Sequence, residues 1–563
     1  MTLAGWLQAA IVFGVIVLLV RPVGTYLYHV FEGKHTFLDF LFNPIERGFF
    51  RILRIDQKKE TGWGGYMIRL LIVDFVLMFF AYLVLRFQGH LPLNPTHAPG
   101  MNPALAFNTT ISFATNTNWQ AYAGEVQVSY LSQMIVMTMF MFTSAASGIV
   151  VSIAVMRGIS RRESKTVGNF YVDFTRAILR ILLPLAIVGT IIVIPLGVIQ
   201  NFNAPKKVTT VEGKTQTIPG GPVSSLESIK HLGNNGGGFY NANAAHPFEN
   251  PNPITNVIFV AMMLLVPCAM PYLLGKYIGN TRQGWVIFVA LFLLLVLIFG
   301  FTYWFESTPT KQQTRLVVNT SAGNTEGKEV RNGVAGSSLF GAATVSATTG
   351  SVDSSHDSFT PLGGMMMLWG MMLNTVFGAK GAGMVNVMIY VIFTVFIAGL
   401  MVGRTPEFNG KKIEGREVKL AVIALLAHPL TILAFVALSF AIPSARAAIL
   451  NKGPHGITEI TYAFTSATAN NGSAMAGLNA TGTYYCITTG IAMLIGRFAI
   501  LIAMAAAGGS LAKKQIVPES EGTFRTDTWL FAGLLIGIII IIGALTFFPT
   551  LALGPIAEQF LHI

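Results

Sequence analysis

Charge is what this chain lacks most. Only 11% of its 563 residues are Asp, Glu, Lys or Arg, against about 25% in soluble domains, so a soluble globular fold is excluded before any segment is read. Cysteine is scarce too. Cys268 and Cys486 are the only two, both fall in apolar stretches, and no disulfide framework can be built from them. Lys and Arg outnumber Asp and Glu by 37 to 25, but no basic patch interleaves with aromatics and no nucleic-acid module is present, so nucleic acid is excluded as a partner. Low-complexity tracts and heptads are missing. No nucleophile–base motif or His/Asp/Glu cluster lies inside an apolar run, which leaves no catalytic residue and no organic cofactor to propose. Gly236-Gly237-Gly238 is no phosphate cradle, since no strand precedes it and no Lys-Ser/Thr follows.

Long apolar stretches are abundant, at 53% hydrophobic residues. Ten are long enough to cross a bilayer, which takes ~20 residues. They lie near 3–20, 66–86, 131–155, 174–199, 254–275, 283–303, 365–403, 417–441, 482–506 and 527–547. The seventh is too long for one span and is interrupted by Gly378-Ala379-Lys380-Gly381-Ala382-Gly383, which predicts a broken helix. The first is followed by Arg21 and lacks a basic segment before it, so it reads as an outside-to-inside anchor rather than a cleaved signal peptide. The loops on one side hold 23 Lys and Arg and those on the other 11. The richer side is cytoplasmic by the positive-inside rule, which puts both termini outside.

A short polar segment recurs four times between these stretches: Thr115-Asn116-Thr117-Asn118, Asn234-Asn235-Gly236-Gly237, Thr348-Thr349-Gly350-Ser351 and Asn470-Asn471-Gly472-Ser473. From Asn118 to Gly236, Gly350 and Gly472 the steps are 118, 114 and 122 residues. That is too long for a solenoid repeat. It predicts four helix, pore loop, helix units around one central pore, with an additional span at each end, in an all-α polytopic membrane protein. The units are residues 66–155, 156–275, 276–403 and 404–506, flanked by 1–65 and 507–563. Short segments at 104–114, 225–232, 337–347 and 457–467 precede the loops and read as pore helices. Their C-terminal ends carry about half a negative charge each and would face the pore centre.

Polar backbone at membrane depth survives only where protein encloses it. Four such loops can replace the hydration shell of an ion with carbonyl oxygens. Gly236, Gly350 and Gly472 tolerate the positive φ this needs, and Asn118 is the non-Gly residue type most at home there. No carboxylate lies in the four segments, which favours potassium or another monovalent cation over divalent ions. Intramembrane charge is the second signal. Arg497 sits in the second helix of the fourth unit, and such residues are costly and functional by default. Below a filter its charge would oppose straight leakage of cations. Lys380 in the broken helix could face the pore or snorkel to the interface. Asp74 and Arg69, five residues apart, are poorly placed to pair with each other.

Asn116-Thr117-Asn118-Trp119-Gln120, Gly236-Gly237-Gly238-Phe239 with Asn241-Ala242-Asn243, and His246-Pro247-Phe248-Glu249-Asn250-Pro251 resemble the KdpA family. So do Gly399-Leu400-Met401-Val402-Gly403-Arg404-Thr405-Pro406-Glu407, Asn470-Asn471-Gly472-Ser473-Ala474 and Ala552-Leu553-Gly554-Pro555. The resemblance runs over essentially the whole chain. It implies the potassium-binding subunit of a potassium-transporting P-type ATPase in the bacterial inner membrane. It also implies a lateral tunnel to a KdpB-like catalytic subunit, with KdpC-like and small KdpF-like subunits completing the complex. The chain has no Asp-Lys-Thr-Gly phosphorylation signature and would leave ATP hydrolysis to that partner. A self-sufficient conduit of the Trk/Ktr/HKT type shares the filter and is the alternative. Two positions depart from the family's pattern, both below the expected filter. Asn374 stands where the family usually has Glu, and Lys380 where its helix break is generally uncharged. If Arg497 pairs with that Glu in relatives, it needs another partner here.

Overall fold

The computed structural model describes residues 1–315, 321–377, 383–518 and 523–561. Among these, nine helices are long and apolar enough to cross a membrane: Leu3–Phe31, Trp63–His90, Tyr130–Ser160, Phe170–Val193, Pro253–Ile278, Thr281–Ser307, Gly415–Ala441, Thr483–Ala512 and Trp529–Phe560. Two shorter apolar helices, Pro361–Leu373 and Val385–Met401, occupy the seventh stretch. The first of these stops at Asn374, which takes the left-handed conformation (φ 48°, ψ 34°) that Asn tolerates better than most residues. The break thus begins four residues before Gly378, and residues 378–382, including Lys380, lie outside the described residues. The first span runs on to Phe31 rather than ending near residue 20. Hydropathy marks the edge of the hydrocarbon, but a helix can continue into the interface, where Arg21 reaches water.

Four helices too short to cross stand between the spans: Pro103–Ala114, Val223–Leu232, Gly333–Ser346 and Pro454–Ala469. Proline begins the first and last, where its missing N–H costs nothing, and Asn102 Oδ1 caps the first by accepting the Ala104 N–H at 2.9 Å. Each short helix is wedged between spans rather than lying on the surface. The first packs on Thr483–Leu494 of the fourth unit, where Asn108 Nδ2 donates to Cys486 O at 2.7 Å and Thr489 Oγ1 at 2.8 Å. Unit four therefore closes on unit one, and the four units form a ring. The additional spans lie on its flank: Leu3–Phe31 against Pro253–Ile278, and Trp529–Leu551 against Thr281–Ser307 and Val385–Met401.

Two elements went unread in the sequence. Within the basic loop, Asp39–Ile52 is an amphipathic helix. It buries Phe42, Glu46 and Phe50 and exposes Phe40, Ile45 and Phe49, the pattern of a helix lying in the membrane interface. Arg180 fixes it through Asp39 at 2.7 Å, and Arg176 through Glu46 at 3.0 Å. On the opposite face, Lys206–Thr209 and Thr215–Ile218 pair as an exposed antiparallel hairpin.

Candidate functional site

All four short helices end in the same turn. Asn116, Asn234, Thr348 and Asn470 have φ of 65°, 51°, 49° and 58°. The next residue then donates its backbone N–H to the carbonyl five positions back: Thr117 to Ser112, Asn235 to Lys230, Thr349 to Thr344 and Asn471 to Ser466, at 2.8 to 2.9 Å. This shared hydrogen bond sets the register of the four segments independently of residue type. It puts Asn118, Gly236, Gly350 and Gly472 in one column, the column that spacing alone had selected. The residues at this turn position, all at positive φ, are three asparagines and a threonine. Asn is several-fold enriched there, and the shared turn explains why Asn recurs at this position.

The column is where the chain segments meet. A methyl group on Gly236 would lie 2.6 Å from the Thr117 carbonyl oxygen and 2.7 Å from that of Asn471. One on Gly472 would collide with the Thr117 oxygen, and one on Gly350 with the Asn471 oxygen. Carbonyl oxygens of loops one and four thus crowd the glycines of loops two, three and four, and no side chain fits between. Positive φ is the reason for glycine at Gly350 (85°) and Gly472 (104°), and Asn118 shares it at 57°. Gly236 departs from that expectation. In loop two the left-handed residue is Gly237 (68°), and Gly236 is required by close approach instead. All sixteen residues of the four segments are buried.

Side chains tie the loops into a closed circuit from behind. Asn116 Nδ2 donates to Asn234 O, and Asn234 Nδ2 to Thr349 Oγ1 at 3.0 Å. Asn471 Nδ2 donates to Thr344 O at 2.9 Å, and Asn470 Nδ2 to Thr117 Oγ1 at 3.0 Å. Loop one is joined to two, two to three, four to the short helix that leads into loop three, and four to one. These asparagines spend their amide N–H groups on neighbouring segments, while Asn118 Oδ1, Asn234 Oδ1 and Thr348 Oγ1 are buried without a hydrogen-bond partner among the described residues. Outside the ring, a cavity of about 900 Å³ is lined by Trp119, Gln120, Gly237, Asn243, Gly350 and Gly472 among others. It gives solvent access to the column from the side predicted to be extracytoplasmic.

Behind loop two lies a charge cluster that the sequence did not reveal. Lys230, in the second short helix, is fully buried, although it is one of the 11 basic residues counted on the exterior side. Its Nζ lies 2.6 Å from Glu227 Oε1, a contact outside hydrogen-bond geometry, and donates to Glu249 Oε2 and Asn243 Oδ1 at 3.0 Å each. Burial, then repulsion from Glu249, pushes the Glu227 carboxyl well above its usual range. Burial and the Lys230 ammonium hold His231 well below its ordinary value, so it is neutral. His231 Nε2 sits 3.0 Å from Ser351 Oγ, which links the helix of unit two to the loop of unit three. The i, i+3 spacing of Glu227 and Lys230 was the only sequence signal for this cluster.

The residues singled out below the loops are not all brought together. Arg497 lies in a π-helical turn, Ile495–Ala499, a feature frequent at functional sites. It is fully buried, and its Nη2 donates to Ser144 O at 2.5 Å. Asn374 is buried at the helix break, where its carbonyl accepts from Asn386 Nδ2 at 2.6 Å. Among the described residues Arg497 and Asn374 share no hydrogen bond. Arg69 does not pair with Asp74 but donates to Thr61 Oγ1 at 3.0 Å.

A family model described as "Potassium-transporting ATPase A subunit", KdpA, matches residues 10–560. The chain belongs to the KdpA family. Similar KdpA proteins carry the name potassium-transporting ATPase potassium-binding subunit. That of Geobacillus kaustophilus is 50% identical over 551 residues, covering 98% of each chain. That of Rhodospirillum centenum is 49% identical over 560 residues, covering 99% of this chain and 98% of its own. The crystal structure of the potassium transporter TrkH from Vibrio parahaemolyticus aligns over 88% of this chain and 97% of its own, with a TM-score of 0.51 at 15% identity. At that identity the likeness concerns the fold, and it extends the four-unit pseudosymmetric architecture to this KdpA chain.

Proposed function

We propose that this chain binds extracytoplasmic potassium in a filter formed by Thr115–Asn118, Asn234–Gly237, Thr348–Ser351 and Asn470–Ser473 and passes it to a P-type ATPase subunit for ATP-driven uptake. One observation carries the filter: four loops leave their helices by the same turn and are cross-linked into a ring whose centre is crowded by backbone carbonyls. Such oxygens replace the water of a dehydrated monovalent cation. Side-chain carboxylates, which would favour a divalent ion, are absent from the ring. Potassium is the transported substrate, and ATP hydrolysis belongs to a KdpB-like partner, with KdpC-like and KdpF-like subunits in the same complex. The names of the relatives support assembly into an ATPase.

The distribution of basic residues supports an inner-membrane orientation with both termini and all four loops outside. An ion leaving the filter inward meets Arg497. A like charge below the filter raises the energy of the passing ion, which disfavours straight-through passage and favours a lateral route to the partner. The test is ATP-dependent potassium uptake into vesicles with and without the co-expressed P-type subunit. Uptake that needs both partner and ATP is expected. Free potassium conduction by the chain alone would replace this reading with the self-sufficient conduit.

A further inference from the structure

Arg497 and Asp74 come from opposite ends of the chain and dock on one face of one helix. The carbonyl of Ser144 accepts from Arg497 Nη2 at 2.5 Å, and Ser147 Oγ donates to Asp74 Oδ1 at 3.3 Å. Ser144 and Ser147 both belong to the helix Met139–Ser160, and residues three apart on a helix are surface neighbours about 5–6 Å apart. Both charged side chains are buried, Arg497 at 0% and Asp74 at 3% exposure. Each has hydrogen-bonding capacity to spare: among the described residues, Arg497 Nε and Nη1 and Asp74 Oδ2 have no hydrogen-bond partner. Among the described residues no Arg497 nitrogen lies within 4.0 Å of an Asp74 oxygen, so the two charges are neighbours on one helix face without a direct ion pair. Uncompensated charge at this depth is expensive, and Asn374, at the break where relatives were expected to supply a carboxylate, is neutral.

We propose that Asp74 is the counter-charge of Arg497, a positioning residue that sets how strongly the arginine opposes the ion leaving the filter. The proposal rests on the potassium-delivery reading above and adds a residue to it. Its reach to the filter is short. Ser144, whose carbonyl holds Arg497, donates its Oγ to Asn116 Oδ1 at 2.9 Å and lies 3.2 Å from Asn235 Oδ1, and those asparagines belong to loops one and two. With Asp74 ionised, the guanidinium is partly offset and held against the filter's inner brace. With Asp74 neutralised, the full positive charge of Arg497 acts on the ion.

The experiment uses the complex with its P-type subunit and compares wild type, Asp74→Asn, Asp74→Glu, Arg497→Met and Asp74→Asn/Arg497→Met. Asp74→Asn should raise the potassium concentration for half-maximal ATPase stimulation about fivefold, within the range for groups in one electrostatic network. Asp74→Glu should stay near wild type. In the Arg497→Met background, Asp74→Asn should change little, because there is no arginine left to offset. Equal impairment by Asp74→Asn and Asp74→Glu, or effects of Asp74→Asn that are the same in both arginine backgrounds, would overturn the proposal. So would an Asp74→Asn complex that assembles and responds like wild type. Should the wild-type complex show no potassium stimulation, the delivery reading fails instead. The pair is then read from rubidium flux through liposomes holding the complex, where the same non-additivity is required.

Discussion

Gly236→Ala isolates the steric part of the filter argument. Gly236 is not at positive φ, so alanine adds no backbone strain there, only a methyl group. That methyl would stand 2.6 Å from Thr117 O and 2.7 Å from Asn471 O, where an unstrained carbon–oxygen contact is about 3.3 Å or more. Both carbonyls must therefore retreat by roughly 0.6–0.7 Å. Both belong to loops held by side-chain hydrogen bonds, so the retreat also disturbs Asn470 on Thr117 and Asn471 on Thr344. Overpacking of this kind costs about 1–3 kcal/mol. Charged to the ion-bound state, that is about a 5- to 150-fold loss of apparent potassium affinity, at 1.4 kcal/mol per tenfold. The assay is potassium-stimulated ATPase of the assembled complex over a potassium titration, repeated with sodium and rubidium. Gly482→Ala is the control, because a methyl group there meets nothing within 4 Å and its φ is ordinary. An assembled Gly236→Ala complex with half-stimulation within twofold of wild type and unchanged ion preference would refute the carbonyl ring.

Three further outcomes are expected. Glu212→Cys, in the exposed hairpin turn, should react with an impermeant maleimide on intact cells, and Gly415→Cys should not; the reverse pattern would invert the orientation. Lys230→Met leaves buried Glu249 without its cation and should destabilise by about 3–5 kcal/mol, seen as a lower thermal midpoint that Lys230→Met/Glu249→Gln largely restores. His455 is held at an elevated pKa of about 10 by hydrogen bonds to Asp357 and then Glu558. This raised value means its contribution is complete below about pH 6.5 and is lost as pH rises through 10. The wild-type thermal midpoint should therefore fall from pH 6 to pH 10 by more than that of His455→Gln, and parallel curves would exclude the clamp.

Local chemistry decided a good part of this molecule, and that part could be read from the sequence. Apolar length marked the spans, since the bilayer imposes the same threshold on each one separately. The short helices were legible because a polar, Asn- and Gly-rich turn follows each, and the conformation of that turn depends on residues within about five positions. What each residue of the turn does was decided by partners far away. Asn470 reaches Thr117 across 353 residues, and Asn116 reaches Asn234 across 118. No periodicity in the sequence encodes those contacts, and they assign the amide groups of Asn116 and Asn470 to bracing. Gly236 looked like its neighbours in the column, yet its reason for being glycine lies in the carbonyls of loops one and four. Lys230 read as one more exterior cation because its second carboxylate, Glu249, reaches it only once the chain has folded back. Asp74 and Arg497 meet through two serines on a third helix. Sequence fixes a conformation wherever the deciding forces act within a turn or across a membrane thickness. The identity of a residue's neighbour in the ring is set by chain closure and packing, and only the tertiary structure supplies it.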